Sequence, residues 1–272
     1  MRQHHIAVSI SIIVVIISAS CRIQNGTGKN TQDENGVSSA EYSVQRCDEF
    51  ATIDLGDYIL VNNTWGREEI VRYTQCIFRE STVFQYPVGW KWDWPRYRMV
   101  AVKAYPGIIF GFKPWSASST SSALPVRITD MGSIRAVYDI ATSANGDYNL
   151  ALELWLTSDN TPRPENITTE IMIWLDNSGM TPAGDFIDDV TIDSIRYSFY
   201  KGYITQTGRW YIALVRRKPE LSGETEISGI VRWLAEKRHV SPDDFIASIE
   251  IGNEIVSGEG VTTVNSYAVD VK

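Results

Sequence analysis

From Cys47 onward the chain alternates short apolar runs with turns rich in Gly, Pro, Asn and Asp, the rhythm of strands rather than helices. The candidate strands are Tyr58–Asn62, Gln75–Arg79, Met99–Ala104, Gly107–Phe112, Ile134–Ile140 and Asn149–Thr157. They continue with Glu170–Asp176, Phe186–Ile192, Ile195–Tyr200, Trp210–Arg216, Ile246–Gly252 and Thr262–Val271. One stretch departs from period two. Ile227, Ile230, Val231 and Leu234 recur at i, i+3, i+4 and i+7, which predicts an amphipathic helix lying on a sheet. The class is all-β. The expected architecture is a β-jelly-roll sandwich of two curved antiparallel sheets with one covering α-helix, whose concave face can hold an extended ligand. The sequence shows no internal repeat and no second domain.

The first 46 residues read differently. Arg2 and a His pair precede an unbroken small or apolar run from Ile6 to Ala19, too short for the ~20 residues of a comfortable membrane span and right for a signal peptide over 1–20. Ser18-Ala19-Ser20 supplies small residues at −3 and −1 before Cys21, which also fits a lipoprotein signal with Cys21 acylated and the chain tethered to a membrane by that lipid. Ordinary cleavage with an unused Cys, and an uncleaved anchor, are the alternatives. Residues 21–46 are polar and nearly free of apolar side chains, so they read as a flexible linker to a folded domain over 47–272. The expected location is secreted or extracellular, at the cell surface if lipidated. Cys47 and Cys76 are then left as a natural disulfide pair in an oxidising compartment, the alternative being two free buried thiols.

A formal charge of −8 argues against a nucleic-acid partner, whose binders carry a basic face. Only three His are present, His4, His5 and His239. Removal of the N-terminus leaves one imidazole, so a His-rich metal site is excluded and any catalysis should rest on carboxylates. Nine Trp and thirteen Tyr provide flat faces that suit sugar rings, and suit an ordinary core equally well.

Period two also sorts the carboxylates. In the strand from Glu170 to Leu175, Glu170, Met172 and Trp174 share one face while Ile171, Ile173 and Leu175 share the other, which is core. The preceding strand repeats the device. Asn149, Ala151, Glu153, Trp155 and Thr157 lie against Leu150, Leu152, Leu154 and Leu156. Ser248 to Glu254 brings further carboxylates. Paired carboxylates on a concave aromatic surface are what glycoside hydrolysis needs, one as nucleophile or base and the other as proton donor. Periodicity alone leaves open that these glutamates face solvent on edge strands or pair with arginines.

Several segments, taken in order from Cys47 to the C-terminus, resemble glycoside hydrolase family 12, retaining endo-β-1,4-glucanases and xyloglucanases of jelly-roll fold. Cys47-Asp-Glu-Phe-Ala is similar to the family's opening segment, and Cys76 falls at its partner cysteine. Val61-Asn-Asn-Thr-Trp-Gly66 resembles a family segment, implying that Asn63 and Trp65 bind glucosyl units on the nonreducing side. Tyr105 to Trp115 resembles a segment of the thermophilic members, implying that Trp115 is a cleft platform; Gly107 stands where those members carry Glu. Glu170-Ile-Met-Ile-Trp174 matches the nucleophile strand, implying a nucleophilic Glu170 with Met172 and Trp174 lining the flanking sites. Ile251-Gly-Asn-Glu254 matches the acid/base segment, and Glu153 stands where a partner of the nucleophile is expected.

The resemblance implies double displacement with retention, with carboxyl groups about 5–5.5 Å apart. Glu170 attacks, Glu254 donates and then withdraws a proton, and no metal or cofactor is called for. The partner is a β-1,4-glucan and the enzyme is expected to be a monomer. Trp155 is expected as cleft floor, Trp210 and Trp233 as core and His239 as surface, while Trp90, Trp92 and Trp94 fit a cleft rim and plain packing equally. The alternatives are a xyloglucan-specific or mixed-linkage glucanase, a non-catalytic jelly-roll carbohydrate-binding module, and a structural surface lipoprotein.

Overall fold

A computed structural model of the chain describes residues 43–68, 70–81, 85–96 and 101–272. The expected signal peptide, Cys21 and most of the 21–46 linker lie outside the described residues, as does the start of the Met99–Ala104 candidate. The first strands are β1 (Val44–Arg46), β2 (Thr52–Asp54), β3 (Ile59–Val61), β4 (Thr74–Arg79), β5 (Val88–Trp94), β6 (Gly107–Gly111) and β7 (Val126–Arg127). The long β8 (Ile134–Thr157) follows, then β9 (Ile167–Ser178), β10 (Asp185–Ile192), β11 (Ile195–Ile204), β12 (Arg209–Arg216) and β13 (Ser222–Glu226). Helix α1 (Ile227–Glu236) separates β13 from β14 (Phe245–Gly252) and β15 (Ile255–Val271).

Length explains how the layers join. The N-terminal half of β8 pairs with β15 and β13, while its C-terminal half pairs with β14 and β9. The two runs expected at 134–140 and 149–157 are therefore one strand that passes from one layer to the other. The outer layer runs β1-β4-β5-β15-β8, and the cleft layer runs β2-β3-β6-β14-β8-β9-β12-β11-β10. One pairing departs from the expected antiparallel sheets. β12 lies parallel to β9 because the β10–β11 hairpin swings outward and the chain returns between β11 and β9.

Between the layers lies the aliphatic face that period two marked out. Leu150, Leu152, Leu154 and Leu156 meet Ile171, Ile173 and Leu175 in one core, and the helix adds Ile227, Ile230, Val231 and Leu234. Full burial of each such side chain contributes about 1.5–3 kcal/mol. Trp90, Trp92 and Trp94 join this core, so packing is their role rather than a cleft rim. The indoles of Trp90 and Trp94 donate to Asn253 Oδ1 and Gln75 Oε1, both at 2.8 Å.

Other expectations need correction. The folded part begins before Cys47, because β1 pairs with β4 at Val44–Arg79. Residues 101–103 form no strand, and Ala104 makes only an isolated bridge to Ile255. Trp210 is 43 % exposed rather than core, since it sits at the first turnout of β12 beyond the aliphatic layer. Trp233 and His239 are half-buried against Phe199 and one another, so His239 is no free surface residue. Cys47 and Cys76 are joined as a disulfide, tying the start of the domain to β4.

Candidate active site

Strand register brings the carboxylates together. Across the cleft layer Glu250 of β14 pairs with Glu153 of β8, and Glu153 pairs with Met172 of β9. One row along, Trp155 pairs with Glu170, and Glu170 pairs with Tyr211 of β12. All of these side chains rise on the side opposite the aliphatic core, and Glu153, Glu170 and Glu250 are buried there. Glu254 follows β14 and is fixed by Asn149. Its backbone N–H donates to Asn149 Oδ1 at 3.0 Å, and Asn149 Nδ2 donates to its carboxylate at 2.5 Å. Asn253 Nδ2 holds the same turn by donating to Asn149 O at 2.6 Å.

Two cations stand among these acids. Lys113 reaches Glu250 at 2.5 Å and Glu153 at 3.8 Å. Arg209, at the start of β12, lies 3.4 Å from Glu170. Its Nε makes no well-aligned hydrogen bond, so the contact acts chiefly as charge with charge. The guanidinium also lies 4.7 Å from the Trp155 ring and 5.7 Å from that of Trp115, where cation–π attraction adds to its placement.

Burial is the largest influence on Glu153, Glu170 and Glu254, and the neighbours then separate them. Glu254 is pushed up to about 8 by burial and by the charge of Glu170, with Asn149 opposing. Among the described residues, no cation adds to these influences. Glu170 is also raised by burial, but Arg209 and then Lys113 pull it back toward ionisation. Glu153 is raised well above its usual range by burial, against Lys113, with Glu250 and Glu170 adding to the rise. Burial works against the Lys113 ammonium, yet Glu250 and Glu153 more than offset it. Arg209 and Lys113 thus favour the ionised form of Glu170, while no such pull opposes the rise of Glu254.

The remaining expected residues differ in their exposure. Trp65 and Trp115 are 58 % and 50 % exposed, and Trp115 meets buried Trp155 edge to face at 4.8 Å. Asn63 is half-buried, accepting from the Trp65 N–H at 3.2 Å. Met172 and Trp174 have almost no exposed surface, being closed over by a cluster with Tyr105, Ala151, Tyr211 and Ala213. Gly107 has a steric reason to lack a side chain. A Cβ there would meet the Ile251 carbonyl oxygen at 2.4 Å, where β6 crosses close to β14.

Sequence reasoning missed Lys113, Glu250, Arg209 and Asn149 as members of the site. Period two carried a signal for two of them, since Asn149 shares the Glu153 face and Glu250 lies in register with Glu254. Arg209 gave no local signal, because an Arg opening a strand reads as a solvated end.

The Glycosyl hydrolase family 12 model matches residues 56–272. The chain belongs to that family. Among curated relatives of this family-12 chain, Endoglucanase S of Pectobacterium parmentieri is 34 % identical over 79 % of the chain and 82 % of the relative. Xyloglucan-specific endo-beta-1,4-glucanase A of Emericella nidulans is 24 % identical over 83 % of the chain and 90 % of the relative. Among solved structures, a family 12 xyloglucanase from Bacillus licheniformis in complex with ligand superposes with a TM-score of 0.78 at 28 % identity, covering 85 % of this chain and all of that one.

Proposed function

We propose that this chain is an endo-β-1,4-glucanase that works by retaining double displacement, with Glu170 as nucleophile and Glu254 as acid/base. The observation that carries the role assignment is the asymmetry of charge. Glu170 has Arg209 and Lys113 beside it, while Glu254 has no cation and is pushed to about 8. The cations favour the ionised form of Glu170 for attack on an anomeric carbon, and Glu254, raised to about 8, keeps a proton at neutral pH for the departing oxygen. Consumption of the Glu170 charge in the glycosyl-enzyme removes the repulsion that raised Glu254, so Glu254 can then accept a proton from water. Glu153, raised well above its usual range by burial and one strand from Glu170, serves as a partner that orients the nucleophile.

Trp65, Trp115 and Asn63 would hold glucosyl units over Trp155, with Met172 and Trp174 packed beneath the surface. The disulfide supports passage through an oxidising compartment. With the apolar run at 6–19, this favours export of a monomeric enzyme, and Cys21 is the candidate for a lipid tether. The decisive experiment is Glu170→Gln on carboxymethylcellulose, with labelling by a 2-fluoro-cellobiosyl donor. Loss of turnover and labelling at Glu170 are expected. A variant that still cleaves normally sinks the assignment. The xyloglucan-specific relatives favour a second reading of substrate, and a product profile on cellulose, barley glucan and tamarind xyloglucan separates the two.

A further inference from the structure

The cleft layer does not end at the carboxylates. From Glu170 on β9 it continues through β12 and β11 to the edge strand β10, three strand spacings or about 14 Å. Side-chain register carries one face along this path. Met172 pairs with Ala213, Ala213 with Tyr200, and Tyr200 with Phe186. Tyr200 packs on the Met172–Trp174–Tyr211 cluster, and Phe186 meets Tyr200 edge to face at 5.5 Å. Phe186 and Ile187 are nonetheless 54 % and 50 % exposed. A bulge between Phe186 and Asp188 leaves Ile187 without a cross-strand partner, a device found beside active sites, where it re-aims side chains.

We propose that Phe186 and Ile187 form an aglycone subsite of the cleft, a platform for glucosyl units of the leaving group on the side opposite Trp65. This rests on the reading of Glu170 and Glu254 as the catalytic pair, and assigns the half of the groove that they leave open. Trp65 lies at the β3 end of the layer and β10 at the other, so a chain lying across the strands and bound at both ends passes over Glu170 between them. The chemistry of the edge favours a neutral glycan over a second copy of the chain. Asp185, Asp188 and Asp189 flank the two apolar residues, and like charges on an edge strand oppose its pairing with itself. An uncharged sugar meets no such penalty and offers its C–H face to the ring.

The test compares wild type, Phe186→Ala, Phe186→Ala/Ile187→Ala and Phe186→Trp on two substrates. One is soluble barley glucan, which fills the leaving-group side. The other is an aryl β-cellotrioside, whose leaving group is a phenol. The expected result is a fall of about 3–10-fold in the ratio of kcat/KM for glucan to kcat/KM for the aryl substrate, the scale of one aromatic contact. Transglycosylation onto added cellobiose should fall in step, and Phe186→Trp should restore both. An unchanged ratio overturns the proposal. So does equal loss on both substrates, which marks a supporting role, or a change in oligomeric size, which marks a self-contact. Failure of the catalytic reading looks different, because Glu170→Gln would then still cleave the aryl substrate.

Discussion

Replacing Arg209 by Met removes a charge from Glu170 while keeping an aliphatic stem over Trp155 and Trp115. The two side chains are only 16 % and 11 % exposed, so solvent screens the pair weakly. Unit charges 3.4 Å apart interact by about 5 kcal/mol at an effective dielectric near 20. Lys113 remains as a second cation and water can relax into the site, which brings the expectation into the range of about 1–3 pH units seen for a carboxylate beside Arg. The sign is fixed. Arg209 favours the ionised form, so its loss raises the pKa of Glu170. On the proposed roles, the acid limb of a profile of kcat/KM against pH follows Glu170 and the basic limb follows Glu254, near 8. Because the two acids titrate as a pair, the limbs are properties of both. The Arg209→Met profile should narrow from its acid side, with activity below the limb falling about tenfold per pH unit moved. Arg209→Lys should recover part of the width. An acid limb that stays in place while only the plateau drops refutes the electrostatic role.

Three further outcomes follow from the same geometry. Glu254→Gln should cost about 10²–10⁴-fold on glucan, much less on an aryl glycoside with a good leaving group, and should abolish the basic limb; a persisting limb near 8 contradicts the assignment. Ile173→Ala, on the fully buried face behind Met172 and Glu170, should destabilise by about 2–5 kcal/mol in denaturant titration, a value near zero showing that this face is not core. Replacing Cys47 and Cys76 by Ser frees a loop with a sequence separation of 29, which in the chain-entropy model costs about 3–4 kcal/mol and should lower the unfolding midpoint with little change in KM.

What the sequence made legible, and what it did not, divides along the range of the interactions involved. Alternation is a property of neighbouring residues, so period two sufficed to set Glu170, Met172 and Trp174 against Ile171, Ile173 and Leu175. The same reasoning could not place Trp90, Trp92 and Trp94, since Lys and Asp between them fit a cleft or a core. Their position is decided by Asn253 and Gln75, which lie on other strands. Arg209 is the sharper case. It reaches Glu170 only because β12 returns parallel to β9 after the hairpin, a pairing that no local pattern encodes.

That division also accounts for how the fold tolerates so many buried acids. Burying a carboxylate is costly unless it is paired or protonated. Each carboxylate strand of the cleft carries an unbroken aliphatic face on its other side, Leu150 to Leu156 on β8 and Ile171 to Leu175 on β9. These faces hold the strands in place whatever their opposite sides carry. Lys113 and Arg209 then offset charge, and burial raises Glu254 and Glu153 toward their protonated forms. A site held by its core rather than by its ion pairs can lose and regain a proton during turnover without loosening its strands, which is what an acid/base pair requires.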